Sequence, residues 1–344
     1  MKYKIFGFSV CILIHYGLNA LIWVQPESKP TSYLFAPGIH SSEKQVSKYC
    51  FEYYSSTNQI IYTDNDFEVI GSAVTAINFP EIIINAPTNF EKSKQFIGKI
   101  YNHIAQWRNA KNDAHNNVIA LDTPETVTDI LKAPIDYTGI NFGQEKDIQA
   151  LSAAYDQHIS IYPDTDIVLY GVSRGAATSF NFLATEYHNK KIKNIKAVIL
   201  EGCFDSIENI LKQKFPILFK FAQITDNFKK IFSWIYPNHQ LNGIVPINLI
   251  NTFPTDIPVL FITSKKDTVV PAVCTWNVYN TLKNNGFTNI FIHELQHSSH
   301  PGYTIDNESD ICEYQTIVHA FYKQHNLNYN SEFADGGNIF LPAN

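Results

Sequence analysis

Short apolar runs alternate along this chain with stretches in which apolar residues recur every three or four positions. Runs at 32–36, 73–79, 166–171, 195–201, 257–263 and 289–295 are rich in Val, Ile, Leu and Phe. That is the pattern of strands covered on both faces, as in a parallel sheet. After the third run, Ala177, Phe180, Leu183, Ala184 and Tyr187 share one helical face. Val273, Trp276, Tyr279 and Leu282 form a second stripe, stopped by Asn285-Gly286. Phe96, Ile100, Ile104 and Trp107 form a third within 92–111, and further helices are predicted over 43–55 and from 142–147 through 162. Strands alternating with helices predict an α/β fold: a mostly parallel central sheet with helices on both faces.

Three stretches depart from that rhythm. In residues 1–28, Met1-Lys-Tyr-Lys4 precedes a mostly apolar segment, 5–24, in which only His15 and Asn19 are strongly polar. At about 1.5 Å per residue it is long enough to cross a bilayer core of about 30 Å. It reads as a signal peptide or an N-terminal membrane anchor, hence an exported or membrane-anchored protein. Leu18 ahead of Ala20 makes a poor cleavage site, so the anchor is an equal reading; a buried N-terminal helix in a cytoplasmic protein is the alternative. The main domain is then 29–330. Within it, 202–256 is far longer than an ordinary strand connection and carries Phe204, Phe215, Phe219, Phe232, Trp234 and Phe253. This predicts a small helical cap insertion shaping an apolar pocket, with packing against the sheet as the simpler alternative. Residues 331–344 read as a C-terminal tail.

At 344 residues, 45% hydrophobic and 14% aromatic, the chain can bury one large core. Net charge is −6, with two arginines, Arg108 and Arg174, among 26 basic residues; nothing suggests a nucleic-acid groove or a polybasic membrane patch. Beyond the leader, Cys50, Cys203, Cys274 and Cys312 allow three pairings in an oxidising compartment, or four buried thiols. The histidines show no metal-ligand spacing, and the chemistry below needs neither metal nor cofactor.

That chemistry starts at Gly171-Val-Ser173-Arg-Gly175. A serine at the tip of a sharp strand-to-helix turn is forced into a strained backbone, which only small residues two before and two after permit. Such a serine is a candidate nucleophile. It needs a base, and the base needs an orienting acid. Asp267 follows the run 257–263, and His297 and His300 follow the run 289–295. The N–H of Arg174 is one candidate donor for an oxyanion; its side chain suits either a substrate carboxylate or a local acid.

On Gly171-Val-Ser173-Arg-Gly175, Pro258-Val-Leu-Phe-Ile-Thr-Ser-Lys-Lys-Asp267-Thr-Val-Val-Pro271 and His297-Ser-Ser-His300-Pro-Gly-Tyr303, the chain resembles the α/β-hydrolase superfamily over roughly 32–326. The late blocks are similar to those of the dienelactone-hydrolase, serine-aminopeptidase and prolyl-oligopeptidase-like branches. The resemblance implies Ser173 as nucleophile, Asp267 as acid and His300 as base. His300 is preferred to His297, the alternative base, because turn-forming Pro301-Gly302 follows it. The resemblance also implies the N–H of Ile39, beside Gly38, as second oxyanion donor, and Glu201 and Asp205 as runner-up acids. The first two antiparallel strands common in the family have no obvious counterpart.

The function implied is a serine hydrolase cleaving an ester or amide through an acyl-enzyme, with a small-molecule ester, acyl or peptide substrate and possible membrane association. Two alternatives stay open: an acyltransferase using the same triad, and a membrane-tethered interaction protein that keeps the fold without turnover.

Overall fold

The computed structural model describes residues 31–36, 38, 142–161, 163–216, 243–300, 302–304 and 306–337. It also describes the strand backbones at 23–24, 61–62, 67–69 and 72–76, and short pieces within 218–241 and at 341. Eight strands form one sheet: β2 (Thr31–Ala36), β3 (Ile61–Tyr62), β4 (Phe67–Val69), β5 (Ser72–Ala76), β6 (Asp166–Val172), β7 (Ile195–Glu201), β8 (Val259–Ser264) and β9 (Ile290–Leu295). Their order is β3-β4-β5-β2-β6-β7-β8-β9. From β5 to β9 every pairing is parallel, while β3 and β4 add an antiparallel edge. All six runs read from the sequence are strands. The edge was missed because β3 and β4 hold two and three residues, too few to display a period of two.

Among the described residues the α-helices are α1 (Glu145–Ile161), α2 (Arg174–Lys190), α3 (Ile207–Lys214), α4 (Ala272–Asn284), α5 (Glu308–Gln324) and α6 (Ser331–Gly337). The helices predicted over 43–55 and 92–111 lie outside the described residues. Successive strand side chains point to opposite faces, and the core divides accordingly. Leu34, Leu169, Val198 and Phe261 pack with Phe180 and Leu183 of α2 and Leu282 of α4 on one face. Phe35, Val168, Tyr170, Ile199 and Ile262 pack with Tyr314 and Phe321 of α5 on the other. Each fully buried Leu or Phe contributes roughly 1.5–3 kcal/mol.

The chain forms two compact units, one of residues 1–79, 142–216 and 242–344, the other of 80–141 and 217–241. The segment 202–256, read from sequence as one insertion, is thereby divided. Its first part carries α3, with Ile207 and Ile210 buried, and its last part sends Ile250 and Phe253 into the sheet-bearing core, where Phe253 stacks on Phe180 at 4.3 Å. Only 217–241 groups with the second unit, where Phe232 packs on Tyr236.

Residues 331–344, set off above as a tail, include helix α6 with Phe333 and Ala334 buried. Beside it a two-stranded ladder joins β1 (Trp23–Val24) to β10 (Tyr329–Asn330). Trp23 and Val24 end the apolar segment 5–24, the remainder of which lies outside the described residues. Among the described residues no helix is long and apolar enough to cross a membrane. Cys203 and Cys274 are free and buried, whereas Cys312 is disulfide-bonded.

Candidate active site

Ser173, Gly202, Asp267 and His300 follow the carboxyl ends of β6, β7, β8 and β9, which are neighbours in that order. Strand order reverses between β2 and β6: the chain builds toward one edge through β5 and toward the other through β7, β8 and β9. In open α/β sheets ligands bind outside the carboxyl ends of strands at such a switch point. Here Ala36 pairs with Gly171, so the turn containing Gly38 leaves the sheet beside the turn containing Ser173.

Ser173 has φ 55° and ψ −113°, a conformation that costs a non-glycine residue about 1–3 kcal/mol. The turn holds it there. Its N–H donates to the Glu201 carbonyl at 2.7 Å, and its carbonyl accepts from Ala176 and Ala177 at 3.0 and 3.2 Å. Gly171 is required: a Cβ on it would stand 2.6 Å from the Gly175 carbonyl oxygen. Ser173 therefore sits ahead of the first turn of α2. Helix N-terminal amides have no intrahelical carbonyl to bind and lie at the positive end of the dipole, which suits the Arg174 N–H to a developing oxyanion. Ile39 lies outside the described residues.

The Arg174 side chain is committed elsewhere. It is 1% exposed, with Nη2 2.6 Å from Asp147 Oδ1 and Nε 2.7 Å from Asp147 Oδ2. Asp147, in the first turn of α1, also accepts the Gly143 N–H at 2.8 Å, while the Gly143 carbonyl accepts Asn181 Nδ2 at 2.8 Å. Of the two partners considered for this guanidinium, the local acid is the one present, and it ties α1 to α2.

Asp267 Oδ2 lies 2.7 Å from His300 Nδ1, with the carboxylate fully buried and the imidazole 6% exposed. Oδ1 accepts the N–H groups of Val269 and Val270 at 2.9 and 2.7 Å. Tyr303 donates its hydroxyl to Oδ2 at 2.5 Å. A carboxylate offers about four lone-pair sites, and four donors occupy them.

The runner-up acids serve other partners. Asp205 accepts from Asn209 and Asn277 at 2.7 and 2.9 Å, and burial raises its pKa. Glu201 accepts the Tyr314 hydroxyl at 3.0 Å. His297 is exposed, and its backbone N–H binds Asp310. No hydrogen bond joins Ser173 Oγ to His300 among the described residues; contacts of this kind are often long before substrate binds and tighten in the complex.

Two residues here escaped the sequence reading. Gly202 has φ +57° and faces His300, since a Cβ there would meet His300 Cε1 at 3.1 Å and Asp267 Oδ2 at 3.7 Å. Asp310, 1% exposed in the first turn of α5, accepts the N–H groups of Gln296, His297 and Ser298 at 3.4, 2.8 and 2.6 Å. It gathers the loop carrying His300 onto the helix. Among the described residues no cluster of His, Cys, Asp and Glu could hold a metal ion.

No protein-family model matches the chain, and no curated protein does. Solved structures do. An esterase from Pyrococcus furiosus is 15% identical, over 88% of this chain and 90% of its own, with a TM-score of 0.49. A carboxyl esterase from Bacillus coagulans is 12% identical, over 89% and 93%, at 0.46. An acylaminoacyl peptidase from Pyrococcus horikoshii is 12% identical, over 88% of this chain but 39% of its own, at 0.46. At such identities and scores these likenesses add nothing to what the residues themselves say. The parallel sheet with its antiparallel edge, the strained Ser173 turn between β6 and α2, and the Asp267 and His300 loops after β8 and β9 give this chain the α/β-hydrolase fold.

Proposed function

We propose that the protein is a serine hydrolase that cleaves an ester or amide bond through an acyl-enzyme. Ser173 attacks the carbonyl carbon. His300 accepts the hydroxyl proton at Nε2 and returns it to the leaving group, and Asp267 holds the Nδ1–H tautomer and stabilises the imidazolium. The Arg174 and Ile39 N–H groups receive the oxyanion. Water then attacks the acyl-enzyme, with His300 taking its proton and returning it to the departing Ser173 Oγ, which restores the free enzyme. The observation that carries this reading is the 2.7 Å contact between Asp267 and His300, two groups from separate loops that follow adjacent strands.

The experiment is labelling with a fluorophosphonate probe. The wild type is expected to label and Ser173→Ala not to; equal labelling of both would sink the assignment. His300→Ala should abolish turnover and His297→Ala leave it near normal, and the reverse would exchange the two histidines. Esters of graded acyl length beside aminoacyl amides would assign the substrate class.

We also place the protein outside the reducing cytoplasm. The apolar segment 5–24 supports this, and so does the disulfide at Cys312, since disulfides persist in oxidising compartments. Peptide mapping of native protein without reductant checks it; a free Cys312 thiol would remove the second support.

A further inference from the structure

We propose that Tyr303 is a positioning residue of the triad, holding the Asp267 carboxylate in the orientation that fixes the His300 tautomer. This rests on the hydrolase reading. The Tyr303 hydroxyl and His300 Nδ1 bind the same oxygen, Asp267 Oδ2, at 2.5 and 2.7 Å, so the two donors share its lone pairs. Tyr303 is fully buried, and its ring stands edge-on to the imidazole, 87° between planes and 6.3 Å between centroids. It touches both members of the acid–base pair.

The loop is built to bring it there. Gly302 donates its N–H to the Ser299 carbonyl at 2.8 Å, and its carbonyl accepts the Asp306 N–H at 2.9 Å. A Cβ on Gly302 would overlap the Asp306 carboxylate. That carboxylate also accepts the N–H and hydroxyl of Ser299. These bonds hold Gly302 close to Ser299 and Asp306, and the side chains of His300 and Tyr303 both reach Asp267.

Chemistry gives the hydroxyl its role. Burial, and then the charge of Asp267, push the phenol well above its ordinary range, so it remains a hydrogen-bond donor at any working pH. With Oδ1 held by two backbone amides and Oδ2 by Tyr303, the carboxylate cannot rotate about its Cβ–Cγ bond without breaking three bonds besides the one to His300. Orientation is then maintained while the imidazole gains and loses its proton. The hydroxyl also spreads negative charge away from Nδ1, which moderates how tightly the imidazolium is held.

Tyr303→Phe removes one oxygen and keeps the ring, so packing is preserved. Turnover of an ester should fall roughly ten-fold with KM within about two-fold, the signature of a group that matters in the transition state. The acid limb of the kcat/KM profile should move to higher pH, because more carboxylate charge faces the protonated base. In an Asp267→Asn background, read by fluorophosphonate labelling rates, the same change should have little further effect. A Tyr303→Phe enzyme with wild-type kcat and pH profile would overturn the proposal. An equal loss in both backgrounds would overturn it too, by placing the effect elsewhere. Failure of the wild type to label at Ser173 would remove the hydrolase reading and this proposal together, whereas normal labelling with an unaffected Tyr303→Phe removes this proposal alone.

Discussion

The imidazole of His300 lies against Gly202, so closely that a Cβ on residue 202 would come within 3.1 Å of Cε1 and 3.3 Å of Nδ1. Gly202 follows the strand between those that carry Ser173 and Asp267, and a His300 side chain reaching from Asp267 towards Ser173 has to cross the end of that strand. The missing side chain is what leaves it room. Gly202→Ala introduces a residue at φ +57°, a left-handed conformation costing roughly 1–2 kcal/mol, and pushes the ring aside. Turnover should drop by about 10- to 100-fold, since displacements on the order of 1 Å can cost that much, while the melting temperature drops by only a few degrees. Steady-state kinetics beside a thermal melt separate the two; an unimpaired kcat would show that the base does not use this path.

Arg174 binds Asp147 through two nitrogens in a fully buried pair. Removing one partner of such a pair costs about 3–5 kcal/mol, because the other charge stays buried alone. Arg174→Met should therefore unfold at much lower denaturant than wild type, and Arg174→Lys, lacking the planar fork, should fall between them. KM for neutral and carboxylate-bearing esters should change alike in Arg174→Lys; a selective rise for the carboxylate ester would return the guanidinium to substrate binding.

Asp310 receives three consecutive amides of the loop carrying His300. Asp310→Ala leaves those amides without their acceptor, at about 1–3 kcal/mol for each buried group. Hydrogen exchange at residues 296–298 should accelerate markedly and kcat should fall, although Ser264 Oγ to the Ser298 carbonyl and Lys265 Nζ to Gln296 Oε1 still tie the loop. Unchanged exchange at these residues would mean that the loop is held by other contacts.

Two buried histidines, His158 and His319, and the half-buried His325 contribute to the response to acid. Burial pushes His319 down to about 3, and His158 and His325 each down to about 4. Free histidine titrates near 6.5, so below that pH the unfolded chain binds protons that the folded chain refuses. Stability is then full above pH 6.5 and declines as pH falls toward 4 and 3. Unfolding near pH 5 should take up close to three protons, to a first approximation, at these sites. His319 Nδ1 accepts the Asn330 N–H at 3.2 Å; His319→Gln retains an acceptor and should remove about one proton from that uptake. Denaturant melts at pH 7 and pH 5 measure both, and a pH-independent midpoint would show that these groups are not held neutral.

Much of the sheet and the strained turn at Ser173 could be read directly, because each depends on residues close together in the chain. Val168, Leu169 and Tyr170 are buried whichever partner covers them, and Gly171 is needed by the carbonyl of Gly175 only four residues away. The positions of Asp267 and His300, each just past an apolar run, were legible for the same reason. The edge strands β3 and β4 were not, being too short to carry a period. The division of 202–256 was not, because Phe232 and Phe253 look equally apolar in sequence and differ only in what they meet.

The sequence alone thus determined which local segments become strand, turn and helix, and which residue types stand at the ends of the strands. Tertiary structure decided which of those residues touch. It gave Asp267 to His300 rather than His297, gave Arg174 to Asp147, brought Tyr303 onto the Asp267 carboxylate and set Gly202 under the His300 ring. The physical reason is range. Backbone conformation and burial patterns are set by neighbours within a few residues, whereas a hydrogen bond between side chains 33 or 36 positions apart exists only once strand order and register have fixed which loops meet.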